Sequence, residues 1–384
     1  GVNMQQVYTS LGAGYRPQNI PNLDVKWEKQ EQINLGLDLG FLNDRINVTL
    51  DWYQKESKDM LMDLQMPTYM GTSGNDNSKL RAPMGNYGHI RNTGLELTLN
   101  THPLVGNFQW DSEFQISWNK NKLIALNGTA SSAIMGYAQW GSTLVSLSDT
   151  GESLYSFYGY VTDGIYQDLA DLQTSPKPVK YPANGVFDGA NTVYVGDIKY
   201  KDLNGDKVIN EFDRTVIGGD KPYSYFGIDL GFEWKGLEFS MLWQGAYNRD
   251  YYLGDVTLTE GFQQNGQFYG QAYENMLGRW TPETAETATL PRLTAGGNNY
   301  NRGNGWNSSF WLRSGNYIRL KNISLGYNLP DSFCRNYLGG LRVKLFVNGQ
   351  NLFTKSACDL VDPEVSFTSY PLQRCISTGI NIRF

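Results

Sequence analysis

The sequence contains no run of about 18 apolar residues, which excludes a transmembrane helix. Its opening, GVNMQQVYTSLGAGYRPQNIPNL, has no charged stretch followed by an apolar one, so no secretory signal is legible there. Charge is scarce: charged residues make up 18%, below the roughly 25% of ordinary soluble domains. With 38 acidic against 32 basic residues the net charge is −6, and no basic patch stands ready to neutralise phosphates, so no nucleic-acid partner is expected. There are only two histidines, His89 and His102, and neither has a GxSxG or HExxH neighbourhood, so no enzyme is expected. The three cysteines, Cys334, Cys358 and Cys375, form no CxxC, which argues against a structural zinc site. None of these absences excludes a membrane β-barrel, whose strands turn only half their residues to lipid and whose mean hydropathy can be as low as the −0.45 found here.

What is abundant is glycine (42) and aromatics (25 Tyr, 17 Phe, 10 Trp), a mixture suited to many strands and turns with amphipathic rings at interfaces. Strict alternation recurs along the chain. INLGLDLGF places Ile33, Leu35, Leu37, Leu39 and Phe41 on one face against Asn34, Gly36, Asp38 and Gly40; INVTLDWYQ repeats the pattern with Ile46, Val48, Leu50 and Trp52. Further alternating runs pass through Leu95, Leu97 and Leu99, then Phe108 to Trp118, Ile228 to Trp234, Leu237 to Trp243, Tyr317 to Leu329, Val343 to Val347 and finally Arg374 to Phe384. That is nine strands of about 9 to 12 residues, close to the 9 to 11 that cross a bilayer at a tilt.

Their connections alternate between short and long. The long ones cover about 55 to 93, 119 to 224, 248 to 315 and 351 to 373, and outer-membrane barrels have this asymmetry, with short periplasmic turns and long external loops. A soluble β-sandwich would alternate too, but the strand lengths, the Gly, Asn, Asp, Gln and Lys of the wet faces, and the aromatics near strand ends favour a barrel. Nine is odd, whereas bacterial barrels close with an even number, so the sequence is expected to be the C-terminal portion of a larger barrel. Residues before about Glu28 are expected in an external loop.

With the strands placed, longer stretches become recognisable. NLDVKWEKQEQINLGLDLGFLNDRINVTLDWYQKESKDML, GHIRNTGLELTLNT, YSFYGYVTDGIYQ, GDIKYKDLNGDKVINEFDRTVIGGDKPYSYFGIDLGF, RWTPET, LRSGNYIRLKNISLGYNLP, LRVKLFVNGQNLFT, DPE and the closing Phe384 span nearly the whole chain. Together they resemble the C-terminal half of the SusC/RagA family, the TonB-dependent outer-membrane transporters of Bacteroidetes-type bacteria. The resemblance implies an all-β transmembrane barrel of about 22 strands in the Gram-negative outer membrane, filled by an N-terminal plug. It also implies partners: a SusD-like surface lipoprotein as lid, TonB acting through an N-terminal segment, the N-terminal barrel-and-plug portion, and membrane lipid. The implied cargo is an oligosaccharide or an oligopeptide. Phe384 on its alternating strand looks like a barrel-assembly signal, or simply an interfacial aromatic. The alternative function is a non-transporting surface β-protein, an adhesin or glycan-binding module.

DLNGDKVINEFD offers oxygen ligands at loop positions 1, 3, 5, 9 and 12, namely Asp202, Asn204, Asp206, Asn210 and Asp213, with the Val208 carbonyl at position 7; this suits a structural calcium ion. Lys207 stands at position 6, where glycine is usual, and an Asx-rich turn held by its own hydrogen bonds is the competing reading. Tyr137, Trp140, Tyr269, Tyr273 and Trp306 are candidates for stacking on sugar rings or peptides, or for packing against one another. TAGGNNYNRGNGWNSS (294–309) reads as a loop by composition. The topology places Cys358 in the last external loop and Cys375 at the top of the last strand, suggesting a disulfide, while Cys334 falls in a periplasmic turn about 30 Å away. Asp362 and Glu364 carry no catalytic expectation.

Overall fold

The structure, a computed structural model, describes residues 4–9, 12–63, 69, 81–126, 133–137, 144–178, 192–253, 274–292, 306–358, 362–365 and 370–384. Within these, one sheet holds nine antiparallel strands: β1 (Lys29–Phe41), β2 (Ile46–Asp63), β3 (Met84–Val105), β4 (Phe108–Leu126), β5 (Ser224–Trp234), β6 (Leu237–Tyr247), β7 (Tyr317–Asn328), β8 (Arg342–Ser356) and β9 (Cys375–Arg383). Each pairs with its neighbour in sequence, an up-and-down meander from β1 to β9. No helix among the described residues is long and apolar enough to cross a membrane.

Register turns sequence alternation into two faces. Leu37 pairs with Leu50, Leu50 with Leu97, Leu97 with Ile116 and Ile116 with Phe226, one apolar row across five strands. The next row holds Asp38, Thr49, Thr98, Gln115 and Gly227. A slip of one residue would exchange the rows, so the pattern itself pins the register. The apolar face has aromatics at both ends. Phe108, Phe232 and Phe239 stack at 5.6 and 5.0 Å near the short turns, and Trp243 meets Phe353 edge-on at 6.0 Å.

The short turns follow from local backbone chemistry. Leu42, Asn43 and Asp44 all take positive φ between β1 and β2, and Asn47 Nδ2 donates to the Asp44 carbonyl at 2.9 Å. Lys235 and Gly236, at φ 49° and 86°, make the two-residue hairpin whose twist matches its strands. The PDSFCRNYLGG stretch, expected as a plain turn, contains a helix over Asp331–Tyr337 followed by Gly339 and Gly340 at positive φ.

Two expectations change. Strands β2, β3 and β4 run to 18, 22 and 19 residues, beyond the span of a bilayer, because pairing continues past the apolar run into polar hairpin arms. The long connections are also structured. Strands Ala133–Tyr137, Leu144–Asp149, Ser156–Tyr160 and Arg214–Gly218 form a separate four-stranded sheet, and Thr162–Ile165 pairs with Ile198–Tyr200. Beside them Tyr166, Leu172, Val193, Ile198, Tyr200 and Ile209 build a core of their own. The segment before β1 holds a hairpin, Met4–Thr9 with Gly12–Pro17.

A Cβ at Gly236 would stand 2.7 Å from the Asn328 carbonyl oxygen in a conformation that L side chains resist. Gly236→Val is therefore expected to cost about 1–3 kcal/mol, read as a lower temperature of heat-induced unfolding on semi-native gels.

Candidate functional site

The polar face of the sheet is a wall of hydrogen-bonding side chains, some paired across strands, such as Thr49 Oγ1 donating to Asp38 Oδ1 at 2.7 Å. Asp51 lies directly opposite Glu96, and Glu113 directly opposite Asp229. Like charges in direct cross-strand register are destabilising unless solvated, so this face reads as one side of a wet lumen and not as a second core. A cavity of about 530 Å³ opens on it, lined by Glu96, Thr98, Gln115, Ser117, Gly227 and Gln244.

Above the wall, where β3 to β6 meet the four-stranded sheet, lies a second cavity of about 680 Å³, with Asn92, Asn119, Asn121, Asp220, Lys221 and Asp250 among its lining. Asn121 Nδ2 donates to Asn92 Oδ1 at 2.8 Å, and Asn121 Oδ1 accepts the Leu154 N–H at 3.0 Å. Lys221 sits over the Tyr155 ring at 5.1 Å. Amides, carboxylates and an ammonium beside aromatic rings are groups that bind hydroxyl- or amide-rich ligands.

This vestibule is braced between connections. Arg292 holds the fully buried Asp197 bidentately, Nε to Oδ1 at 2.6 Å and Nη2 to Oδ2 at 3.1 Å. Trp306 stacks on Tyr160 (4.8 Å) and Tyr200 (5.4 Å), which also touch each other at 5.2 Å, and is only 8% exposed, so this candidate stacking platform is a packing anchor. Trp140, Tyr269 and Tyr273 lie outside the described residues, as does the Tyr137 side chain.

The Asp202 loop closes on itself. Asp202 accepts the N–H groups of Gly205 (2.7 Å) and Lys207 (2.8 Å), Asp206 that of Val208 (2.8 Å), Asn210 that of Phe212 (2.9 Å), and buried Asp213 those of Leu203 (2.9 Å) and Asn210 (2.8 Å). Asn204 Oδ1 takes the Asp206 N–H, and its Nδ2 donates to Asp206 Oδ2 at 3.0 Å. These N–H bonds outweigh the effect of burial and hold the Asp202 carboxyl below its ordinary pKa. No three acidic, histidine or cysteine side chains converge on a metal position among the described residues. As folded, the loop is held by its own hydrogen bonds as an Asx clasp.

The cysteine expectation is corrected. All three are free. Cys375 is exposed and pairs in register with Gln350, while Cys358 is buried against Leu253 and Tyr251 beyond the end of β8. The stretch of β8 between them spans roughly 15–20 Å, far beyond disulfide reach. Phe384 ends the chain fully exposed, following Ile376, Ile380 and Ile382 on the apolar face of β9.

One hub was not legible as a site. The DPE stretch folds back onto the polar end of β7, where Arg319 is 2% exposed. Arg319 donates to Asp362 at 2.8 Å, to Glu364, and through Nε to Thr354 at 2.8 Å; Lys321 adds a 2.9 Å bond to Glu364, and Tyr317 OH one at 3.1 Å. The Pro363 carbonyl accepts from Arg249 at 2.9 Å and from the Tyr251 hydroxyl. Two cations and two carboxylates balance, so the last connection is latched to the wall without net buried charge.

Residues 3–235 match the family described as TonB dependent receptor-like, beta-barrel. The chain belongs to this family. TonB-dependent receptor P26 of Formosa agariphila is 31% identical over 99% of the chain, and TonB-dependent receptor SusC of Bacteroides thetaiotaomicron is 25% identical over all of it. The chain spans about a third of the length of these receptors, 36% and 35% respectively. Among solved structures, that of the RagAB peptide transporter superposes with a TM-score of 0.76 at 22% identity, covering 100% of this chain and 38% of that one, which shows the shared fold. The SusC/RagA-type receptor barrel is an outer-membrane architecture, so the apolar face meets lipid and the polar wall faces the lumen. As a receptor barrel, the chain has its short turns on the periplasmic side and its vestibule outside.

In this receptor barrel the DPE latch carries a pH signature. Burial raises the Asp362 carboxyl pKa, but the Glu364 N–H and Arg319 outweigh it and hold the group below its ordinary value. A depressed folded-state pKa stabilises fully above the unfolded value of about 4 and is lost as pH falls through the folded value. The protection factor for amide exchange at 362–365, corrected for the intrinsic pH dependence of exchange, is therefore expected to stay constant from pH 7 to about 5 and to fall below about 4. Arg319→Ala, which leaves Asp362 without its cation and Glu364 with Lys321 alone, is expected to release the loop at neutral pH at a cost of about 3–5 kcal/mol.

Proposed function

We propose that this chain forms part of the channel wall and external vestibule of a TonB-dependent importer, taking up an oligosaccharide or an oligopeptide. The observation that carries this reading is the polar wall, with its 530 Å³ luminal cavity, lying below a 680 Å³ vestibule built from ordered connections. The names of its relatives agree: receptors, SusC, and for the superposable fold a peptide transporter. A SusD-like lipoprotein would cap the vestibule, TonB would act through an N-terminal plug portion, and Phe384 would serve as the assembly signal on β9.

The test is extraction of the native membrane in mild detergent through a tag in an external connection, mass spectrometry of what stays bound, and uptake of fluorescent oligopeptides and malto-oligosaccharides by the same cells. Co-purification of plug-bearing polypeptide and a lipoprotein, with TonB-dependent uptake of one cargo class, is expected. Surface retention of cargo without uptake would instead establish an adhesin or glycan-binding module.

Orientation is checked separately. Leu37→Arg on the lipid face is expected to destabilise the barrel by about 2–4 kcal/mol, whereas Asp38→Asn on the luminal face leaves stability near wild type. Calcium at Asp202, Asn204, Asp206, Val208, Asn210 and Asp213 is a separate proposal, since each carboxylate oxygen keeps a lone pair after its N–H bond. A rise in unfolding temperature with Ca²⁺ that EDTA reverses would support it; no shift would leave the Asx clasp.

A further inference from the structure

We propose that the outer ends of β1 to β4 form a phosphate-binding belt for the glycolipid of the outer leaflet. This rests on the outer-membrane placement of the barrel and not on transport. On each of these strands the lipid-facing positions change character abruptly. After Ile33 on β1 come Glu31 and Lys29; after Trp52 on β2 come Gln54, Glu56 and Lys58; after Leu95 on β3 come Thr93 and Arg91; after Trp118 on β4 come Lys120 and Lys122. Register binds them into one patch: Lys29 pairs with Lys58, Glu56 with Arg91, Arg91 with Lys122, and Thr93 with Lys120.

The patch is preorganised and its positive charge is only partly used. Glu56, 12% exposed, accepts from Arg91 Nε at 2.7 Å, contacts His89 Nε2 at 2.9 Å, and lies 3.5 Å from Lys58, which also reaches Glu31 at 2.6 Å. Lys29 pairs with Asp59 at 3.3 Å. Five cations thus meet three carboxylates. Arg91 spends only Nε, leaving both Nη groups, and Lys120 and Lys122 are exposed with no salt bridge among the described residues.

Position identifies the occupant. Lys120 is the first lipid-facing position beyond Trp118, and Lys58 the third beyond Trp52; such rings belong at the lipid–water boundary, so the cations stand in the zone where headgroup phosphates lie. A guanidinium edge and point-charge ammoniums are suited to phosphate oxygens. The neighbouring strands differ: Ser224 of β5 lies opposite Trp118 and Tyr247 of β6 opposite Ser224, both uncharged, and Lys355 of β8 lies opposite Ile318 of β7. The belt is a sector and not a uniform ring. A lipoprotein resting on the loops would sit farther out, which is why we assign lipid.

The test uses the intact assembly in mild detergent, with phosphorylated lipid A and its enzymatically dephosphorylated form as probes, read by native mass spectrometry. Wild type is expected to retain the phosphorylated lipid and to lose it as salt is raised. The Lys120→Ser/Lys122→Ser double variant is expected to bind it roughly 30-fold more weakly, and Lys355→Ser to match wild type. Equal retention by the double variant, equal binding of the dephosphorylated lipid, or a variant that keeps the lipid but loses a co-purifying protein would each overturn the proposal.

Discussion

Where a chain crosses hydrocarbon, each backbone N–H and C=O must find a partner within the protein, because no water is available to take its place. That single demand fixes the meander from β1 to β9, in which every interior strand is paired on both sides. Side chains are then free to divide the labour by parity alone. Lipid takes Leu37, Leu50, Leu97 and Ile116, and the lumen takes Asp38, Thr49, Thr98 and Gln115. The like-charge pairs Asp51 with Glu96 and Glu113 with Asp229 are tolerable only because this second face is wet.

Outside the membrane the constraint changes from backbone pairing to burial, and the chemistry changes with it. The vestibule has its own aromatic core around Tyr160, Tyr200 and Trp306, and its long-range ties are charged: Asp197 to Arg292, and Arg319 to Asp362 and Glu364. Each buried charge there has an opposite partner, so the network rigidifies the connections without leaving an isolated ion in a low dielectric.

What was legible in the sequence was what is periodic. Strand existence, pairing order and face assignment in the main sheet all follow from local alternation, and the nine expected strands are its nine; the strands of the connections fall outside that expectation. His89 and His102 fall near opposite ends of β3. What was not legible depends on partners far apart in the chain. Nothing local to Trp306 says that it packs on Tyr160 and Tyr200, and nothing in the DPE stretch says that its carboxylates meet an arginine 43 and 45 residues earlier. The Asp202 loop is ambiguous for a related reason: its oxygen spacing is shared by cation loops and Asx turns.

The bidentate bond between Asp197 and Arg292 has a meaning for how such receptors diversify. It ties the connection between β4 and β5 to the one between β6 and β7, and neither charge has been left to solvent. Replacing either connection alone would bury an unmatched ion, so the two surface segments are energetically coupled. A change to one of them at this position calls for a matching change in the other, while the barrel beneath need not alter.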